Sequence, residues 1–207
     1  MKYSQNNEEE IIGRYFGQFV GNLLSIGENN GQQLSNVYAL IRNGWGGDLV
    51  EPSPQVFPEL YQLHRGNAKI FCHDVAIGDK NGWVTLYDSG ELLKQGDKAL
   101  VSTVSYQETT RWRPSSIPFS EVQVKMTTFQ MFMLERAGYQ QYDFISIDAE
   151  GMDLTILRQM DLDVLECRCL CVEHNSLPAV VANIRECCFP FGFKEIGYNQ
   201  ENIILAR

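Results

Sequence analysis

Apolar positions in this chain fall into two alternating spacings. Ile11, Ile12, Tyr15, Phe16 and Phe19 recur at helical intervals and predict a helix over about 6–18. The apolar run "FVGNLLSI" (19–26) predicts a buried strand, "GENNG" (27–31) a turn, and Leu34, Val37, Tyr38 and Ile41 a helical face. "GGDLVEPSP" reads as a short strand stopped by prolines. "PQVFPELYQLHR" reads as a helix with Pro58 as its weak point. "AKIFCHDVAIG" predicts a third strand.

Beyond Gly82 the pattern loosens. "WVTLYD" and "LVSTVSY" read as strands, "QETTRWRPSSIPF" as an exposed loop, "EVQVKM" as an alternating strand, and "TTFQMFMLERAG" as a helix ending at Gly138. Regular alternation then resumes: strand "YDFISID", helix "MDLTILRQM", strand "CRCLCVEHN", helix "LPAVVANIRECC", and a closing strand pair in "GFKEIGYNQENIILAR". Strands alternating with helices imply a mostly parallel sheet covered on both faces, with the closing pair adding an antiparallel strand. No internal repeat occurs, which excludes a solenoid.

The 207 residues suit a single domain, 1–207, with a short N-terminal helix and an insertion at about 82–120. The net charge of −9 comes with no basic block, so a nucleic-acid partner is not expected. The polar start "MKYSQNNEEEII" has no apolar core of a secretory signal, and no run of about 18 apolar residues is present, so no membrane span is expected. The six cysteines include Cys167, Cys169 and Cys171, whose alternation puts them on one strand face; they lack the second pair of a zinc site. Free thiols in a reducing cytoplasm are the expectation.

Three strand ends carry candidate chemistry. The Gly27–Gly31 turn lets the backbone bend and approach a ligand, and a helix start behind it attracts negative charge. Glu51 ends the second strand 20 positions after Gly31, where an acceptor-only carboxylate suits a ribose diol. Asp74 ends the third strand beside Val75 and Ala76, a setting suited to an adenine ring. Further on, "FISIDAEGMDLTILRQM" places Asp148 and Glu150 where a buried strand opens into a helix through Gly151. Such strand ends form the ligand crevice of α/β proteins, whereas a plain helix start would use Asp153 or Asp148 as a cap.

These segments together resemble the FkbM-type S-adenosylmethionine-dependent methyltransferases. "SIGENNGQQLSNVYALIRNGWGGDLVEPSP", "DVAIGD" and "FISIDAEGMDLTIL" are similar to its motifs in order and spacing, over most of 18–175. The resemblance implies a class I methyltransferase (Rossmann-like) fold, a seven-stranded sheet with an antiparallel last strand. It implies that Gly27, Asn29 and Gly31 cradle the methionine part of S-adenosyl-L-methionine, that Glu51 holds the ribose and Asp74 with Val75 the adenine, and that Asp148 lies near the reactive end. In one departure, Ser25 stands where the family often has an acid.

Asp148, Glu150, Glu173 and His174 are the candidate bases at strand ends for a hydroxyl acceptor, His174 having the best-placed ordinary pKa. His73, Asp74, Asp148, Glu173 and His174 have ligand chemistry but no local ligand spacing, so no metal is expected. The reading is O-methylation of a sugar, glycan or natural-product hydroxyl; the alternatives are a non-catalytic cofactor-binding or scaffold domain, and a nucleotide-dependent oxidoreductase. The last lacks the third glycine of the dinucleotide fingerprint.

Overall fold

The computed structural model describes residues 2–92, 97–136 and 141–207. Helix α1 (Glu8–Phe16) buries Ile12 and Phe16 and leads to β1 (Asn22–Ile26). The strand begins later than its apolar run, because Phe19 and Val20 are exposed. Helix α2 (Tyr38–Arg42), β2 (Gly46–Val50), α3 (Phe57–His64), β3 (Ile70–His73) and β4 (Ala76–Gly78) follow. Helix α2 is one short turn that starts seven residues after Gly31, where the Ser35 hydroxyl accepts the Tyr38 N–H at 2.9 Å. The expected helix start behind the glycine turn is therefore absent; Leu34, at φ 57°, cannot be helical. Pro58 is no weak point, since it lies in the first turn of α3, where its missing N–H has no helical partner to lose.

The segment 82–128 builds a second sheet. Strand β5 (Gly82–Ser89) runs antiparallel to β6 (Phe119–Thr128), and β4 joins β6 in parallel. Between them lies helix α4 (Tyr106–Trp112), which replaces the expected exposed loop. "LVSTVSY" forms no strand, only an isolated bridge from Thr103 to Tyr87. Helix α5 (Phe129–Glu135) is capped by Thr128, whose hydroxyl faces the Met131 N–H at 3.4 Å; its expected end at Gly138 lies outside the described residues.

Strand β7 (Phe144–Ile147), helix α6 (Asp153–Leu157), β8 (Cys169–Glu173), α7 (Pro178–Cys188), β9 (Lys194–Tyr198) and β10 (Asn202–Ala206) complete the chain. The main sheet has seven strands in the order β3-β2-β1-β7-β8-β10-β9. Strand β10 alone reverses direction, pairing antiparallel with β8 on one side and β9 on the other, so the last strand is inserted rather than added at the edge. Alternation along the strands feeds two cores. Leu24, Ile26, Ile145 and Ile147 face one, with α6 and α7; Leu23, Leu49 and Phe144 face the other, with α1 and Trp45. Cys169 and Cys171 share the second core, but Cys167 precedes β8 and packs in the first, so the three thiols do not share a face. All six thiols are free. One charge is embedded in the sheet: Asp48 of β2 is fully buried and is held by Arg136, by His73 at 2.7 Å and by the Tyr142 hydroxyl at 2.8 Å. Among the described residues no helix is long and apolar enough to cross a membrane.

Candidate active site

The parallel strands β1, β2, β7 and β8 end on one side of the sheet, where a cavity of about 340 Å³ opens. Its floor is the glycine turn after β1, and its walls are Glu51, the segment Val75–Ile77, and the acidic ends of β7 and β8. The turn is fixed by a lattice of short bonds. The Gly27 N–H donates to the Val50 carbonyl at 2.9 Å, and the Asn29 N–H to Glu51 at 2.8 Å. Glu51 also accepts the Ser53 N–H at 2.7 Å, so one carboxylate ties the turn to the end of β2. The Asn29 side chain donates to the Lys98 carbonyl, joining the turn to the 82–128 insertion.

Glu28 places a buried carboxylate beside Ser25. Its two oxygens accept the hydroxyls of Ser25 and Ser35, each at 2.6 Å, and it is buried against the cavity. Burial lifts its pKa to about 7, and the two serines limit the rise. Burial likewise lifts Glu51 to about 7, against the hydrogen bonds from Ser53 and Asn29.

Asp148, Glu150 and Glu173 bring carboxylate oxygens to within 4.8 Å of one another at the cavity edge. Asp148 and Glu150 follow the end of β7 and bring their carboxylates together, and Glu150 (φ 43°) and Gly151 (φ 94°) turn left-handed into α6. Asp153, the first residue of α6, ties down the loop before the helix, accepting the Ala149 N–H at 2.7 Å and the Gly151 N–H at 3.1 Å. Neither Asp148 nor Glu150 is needed for the helix start. The Arg111 guanidinium on α4 reaches back to Glu150 at 2.7 Å and also contacts Glu108. Burial first, then the repulsion of Asp153, lifts Asp148 to about 7, while a hydrogen bond with Glu173 restrains it. Glu150 and Glu173 are pushed well up by burial and then by Asp148, and Arg111 partly offsets both.

Of the residues singled out from the sequence, Gly27, Asn29, Glu51, Val75, Asp148 and Glu150 line the cavity; Gly31, Asp74 and His174 do not. Gly31 packs under the loop, where a Cβ would meet Leu60 of α3 at 2.6 Å. Asp74 is exposed because Val75 and Ile77 take the inward positions of that segment. His174 is buried, its ring stacked on Tyr198 at 4.8 Å and its Nδ1 accepting the Ser176 N–H at 3.0 Å. Burial lowers its pKa, so it is held neutral and away from the cavity. Sequence reasoning missed Glu28, Arg111 and Trp112. Arg111 and Trp112 sit on a helix that the pattern Ser105-x-x-Glu108, a capping-box signature, marks at its start. Glu28 had the weaker signal of an acid inside a glycine turn flanked by Ser25 and Ser35.

The buried acids make stability depend on pH. Glu28 and Glu51 titrate near 4.5 when unperturbed and near 7 in the fold. Between those values the folded chain retains protons that the unfolded chain has released, so stability falls as pH rises through that window. Glu8 and Asp48 shift the other way and act below it, and the buried His64 and His174, whose pKa values are lowered, oppose the trend only below their ordinary value of 6.5. Urea unfolding of the ligand-free protein is expected to give a free energy at pH 5.5 larger than at pH 8 by about 3 kcal/mol, since a single two-unit shift is worth about 2.7. Equal or greater stability at pH 8 would show that these acids are not held protonated.

A sheet with one reversed, inserted strand, and a cavity at the carboxyl ends of its central strands beside a glycine turn, is the class I methyltransferase arrangement. The methyltransferase FkbM domain matches residues 25–195, and the chain belongs to that family of S-adenosylmethionine-dependent methyltransferases. Among solved structures, the FkbM methyltransferase of Methylobacillus flagellatus aligns with 99% of this chain and 48% of its own, at a TM-score of 0.58 and 10% identity. The N-terminal domain of human METTL16, solved in complex with SAH, aligns with 96% of this chain and 66% of its own, at a TM-score of 0.47 and 16% identity. The chain thus spans about half of the first of these proteins and about two thirds of the second. No curated protein matches it.

Proposed function

We propose that the cavity binds S-adenosyl-L-methionine and transfers its methyl group to a hydroxyl of a small acceptor, a sugar, glycan or natural product, in a reducing cytoplasm. The observation that carries this reading is the position of Asp148, Glu150 and Glu173 in the same cavity as the glycine turn and Glu51. The acceptor oxygen attacks the methyl carbon, the carbon–sulfur bond breaks with its electron pair left on sulfur, and the hydroxyl proton passes to a carboxylate of the cluster. Alignment of oxygen, carbon and sulfur supplies much of the rate, and the proton acceptor completes it. The apolar wall from the insertion, Leu86, Leu92, Val101, Val104 and Trp112, suits the body of an acceptor.

Within this reading Glu51 accepts the ribose hydroxyls and Glu28 the cofactor's ammonium. Glu51→Ala is expected to weaken binding of S-adenosylmethionine at least tenfold, because bonds to a charged acceptor contribute about 1.5–3 kcal/mol and tenfold needs about 1.4. Unchanged affinity in the folded variant would remove Glu51 from the ribose site. Glu28→Gln is expected to lose a similar factor for S-adenosylhomocysteine and nothing for its deaminated analogue; equal losses for both would reduce Glu28 to a scaffold of the loop. The reaction itself is tested by release of demethylated cofactor with a panel of hydroxylated acceptors. Turnover with none of them, alongside tight cofactor binding, would favour a non-catalytic binding domain.

A further inference from the structure

The acidic cluster has a geometry that proton acceptance alone does not require. One oxygen from each of Asp148, Glu150 and Glu173 lies within 4.8 Å of the other two. Ligand oxygens at about 2.0–2.6 Å from a hard cation stand about 3–5 Å apart around it, so the three already occupy the spacing of a coordination shell. Each carboxylate contributes a single oxygen and keeps its second. Arg111 holds Oε2 of Glu150 at 2.7 Å, which fixes the direction of that carboxylate.

A second observation points to the same place. Glu173 is only 6% exposed and lines the cavity, yet its Oε2 is buried without any hydrogen-bond partner. The hydrogen bond between Asp148 and Glu173 lies inside the cluster, and no amide, hydroxyl or basic side chain outside it donates to Oε2. A buried carboxylate oxygen with no donor is costly, and such orphans mark a missing water or ion. Neither Asp148 nor Glu173 forms an ion pair among the described residues; Arg111 is the one basic side chain paired with the cluster. The cluster thus sets three carboxyl groups against one paired guanidinium.

We propose that Asp148, Glu150 and Glu173 form a site for one divalent cation of the hard, oxygen-preferring class: magnesium, manganese or calcium. This departs from the sequence reading, in which the acids showed no ligand spacing, because the ligands come from two strand ends brought side by side by the β7–β8 pairing. Binding of the ion does not depend on methyl transfer. Where transfer occurs, the ion stands where the acceptor hydroxyl arrives and favours loss of its proton, and the uncoordinated carboxylate oxygens still receive it.

The test uses the full chain without cofactor. Manganese is titrated with detection by electron paramagnetic resonance, and magnesium and calcium by calorimetry and thermal melting. The expected result is one saturable site for manganese, displaced by magnesium, with a melting temperature that rises on adding magnesium. Glu173→Gln and Asp148→Asn should each weaken the site at least tenfold and abolish the melting shift. Both substitutions relieve repulsion within the cluster, so the variants fold, which near-ultraviolet circular dichroism verifies. Absence of saturable binding up to about 1 mM ion, the weak end of protein calcium sites, would overturn the proposal. So would a site whose affinity neither variant changes. A chain that binds the ion but not S-adenosylmethionine would keep this inference and remove the proposed function.

Discussion

Asp148→Asn and Glu150→Gln are each expected to lower single-turnover methyl transfer by about a hundredfold or more, the lower range for a lost general base. Both substitutions keep shape and remove charge. Both residues line the cavity, and neither holds the loop that leads into α6, which Asp153 ties down through the Ala149 and Gly151 amides. Their stability should therefore stay level or rise, since each loses a buried charge crowded by its neighbours. Asp153 predicts the opposite pattern. Asp153→Ala leaves the Ala149 and Gly151 amides without their acceptor and is expected to cost about 1 kcal/mol or more. Normal rates in both cavity variants would leave the acids without a part in the chemistry. His174 does not stand in reserve, because its ring is packed on Tyr198 outside the cavity.

Gly27→Ala should damage the molecule more than any other single methyl group at the site. Gly27 has φ +81°, in the region that favours glycine. A Cβ there would stand 1.7 Å from the Asp148 carbonyl oxygen, far inside contact distance. The obstacle is backbone, and it cannot swing aside: the Asp148 N–H donates to the Ile26 carbonyl at 2.9 Å, and β1 pairs with β7 from Leu23 to Ile26. Relief requires the glycine turn and the acidic strand end to separate, which breaks the floor of the cavity. The strain of a left-handed residue, about 1–3 kcal/mol, adds to overpacking of about 1–3 kcal/mol. The expected outcome is a loss of about 3 kcal/mol or more in urea unfolding and no measurable cofactor binding. Wild-type stability and affinity would mean that the turn and the strand end are not interlocked.

Much of the frame was legible in the sequence, for physical reasons that differ by element. Strands β1, β7 and β8 are buried on both faces, so they announce themselves as continuous apolar runs. The closing pair β9–β10 follows from its polar turn, although pairing partners are not written locally, and the insertion of β10 beside β8 emerged only in three dimensions. Helix α4 was lost because its exposed residues show no apolar period; the capping pattern at Ser105 and Glu108 was the surviving signal. Gly31 and Asp74 misled for a common reason. Spacing along the chain reports that a residue stands near a strand end, but not whether it faces the crevice or the core behind it. Glu28 was invisible as a site, and Glu173 stood out only as one strand-end acid among several, because their partners, Ser35 and Asp148, meet them only through the fold.

The central claim is that the cavity between the glycine turn and the acidic strand ends is an S-adenosylmethionine site. Calorimetric titration of the full chain with S-adenosylhomocysteine, the stable product of transfer, tests it most directly. The structure predicts saturable binding at one molecule per chain, weakened at least tenfold in Glu51→Ala while that variant stays folded. No saturable binding to the folded wild-type chain, or wild-type affinity in Glu51→Ala, would contradict it.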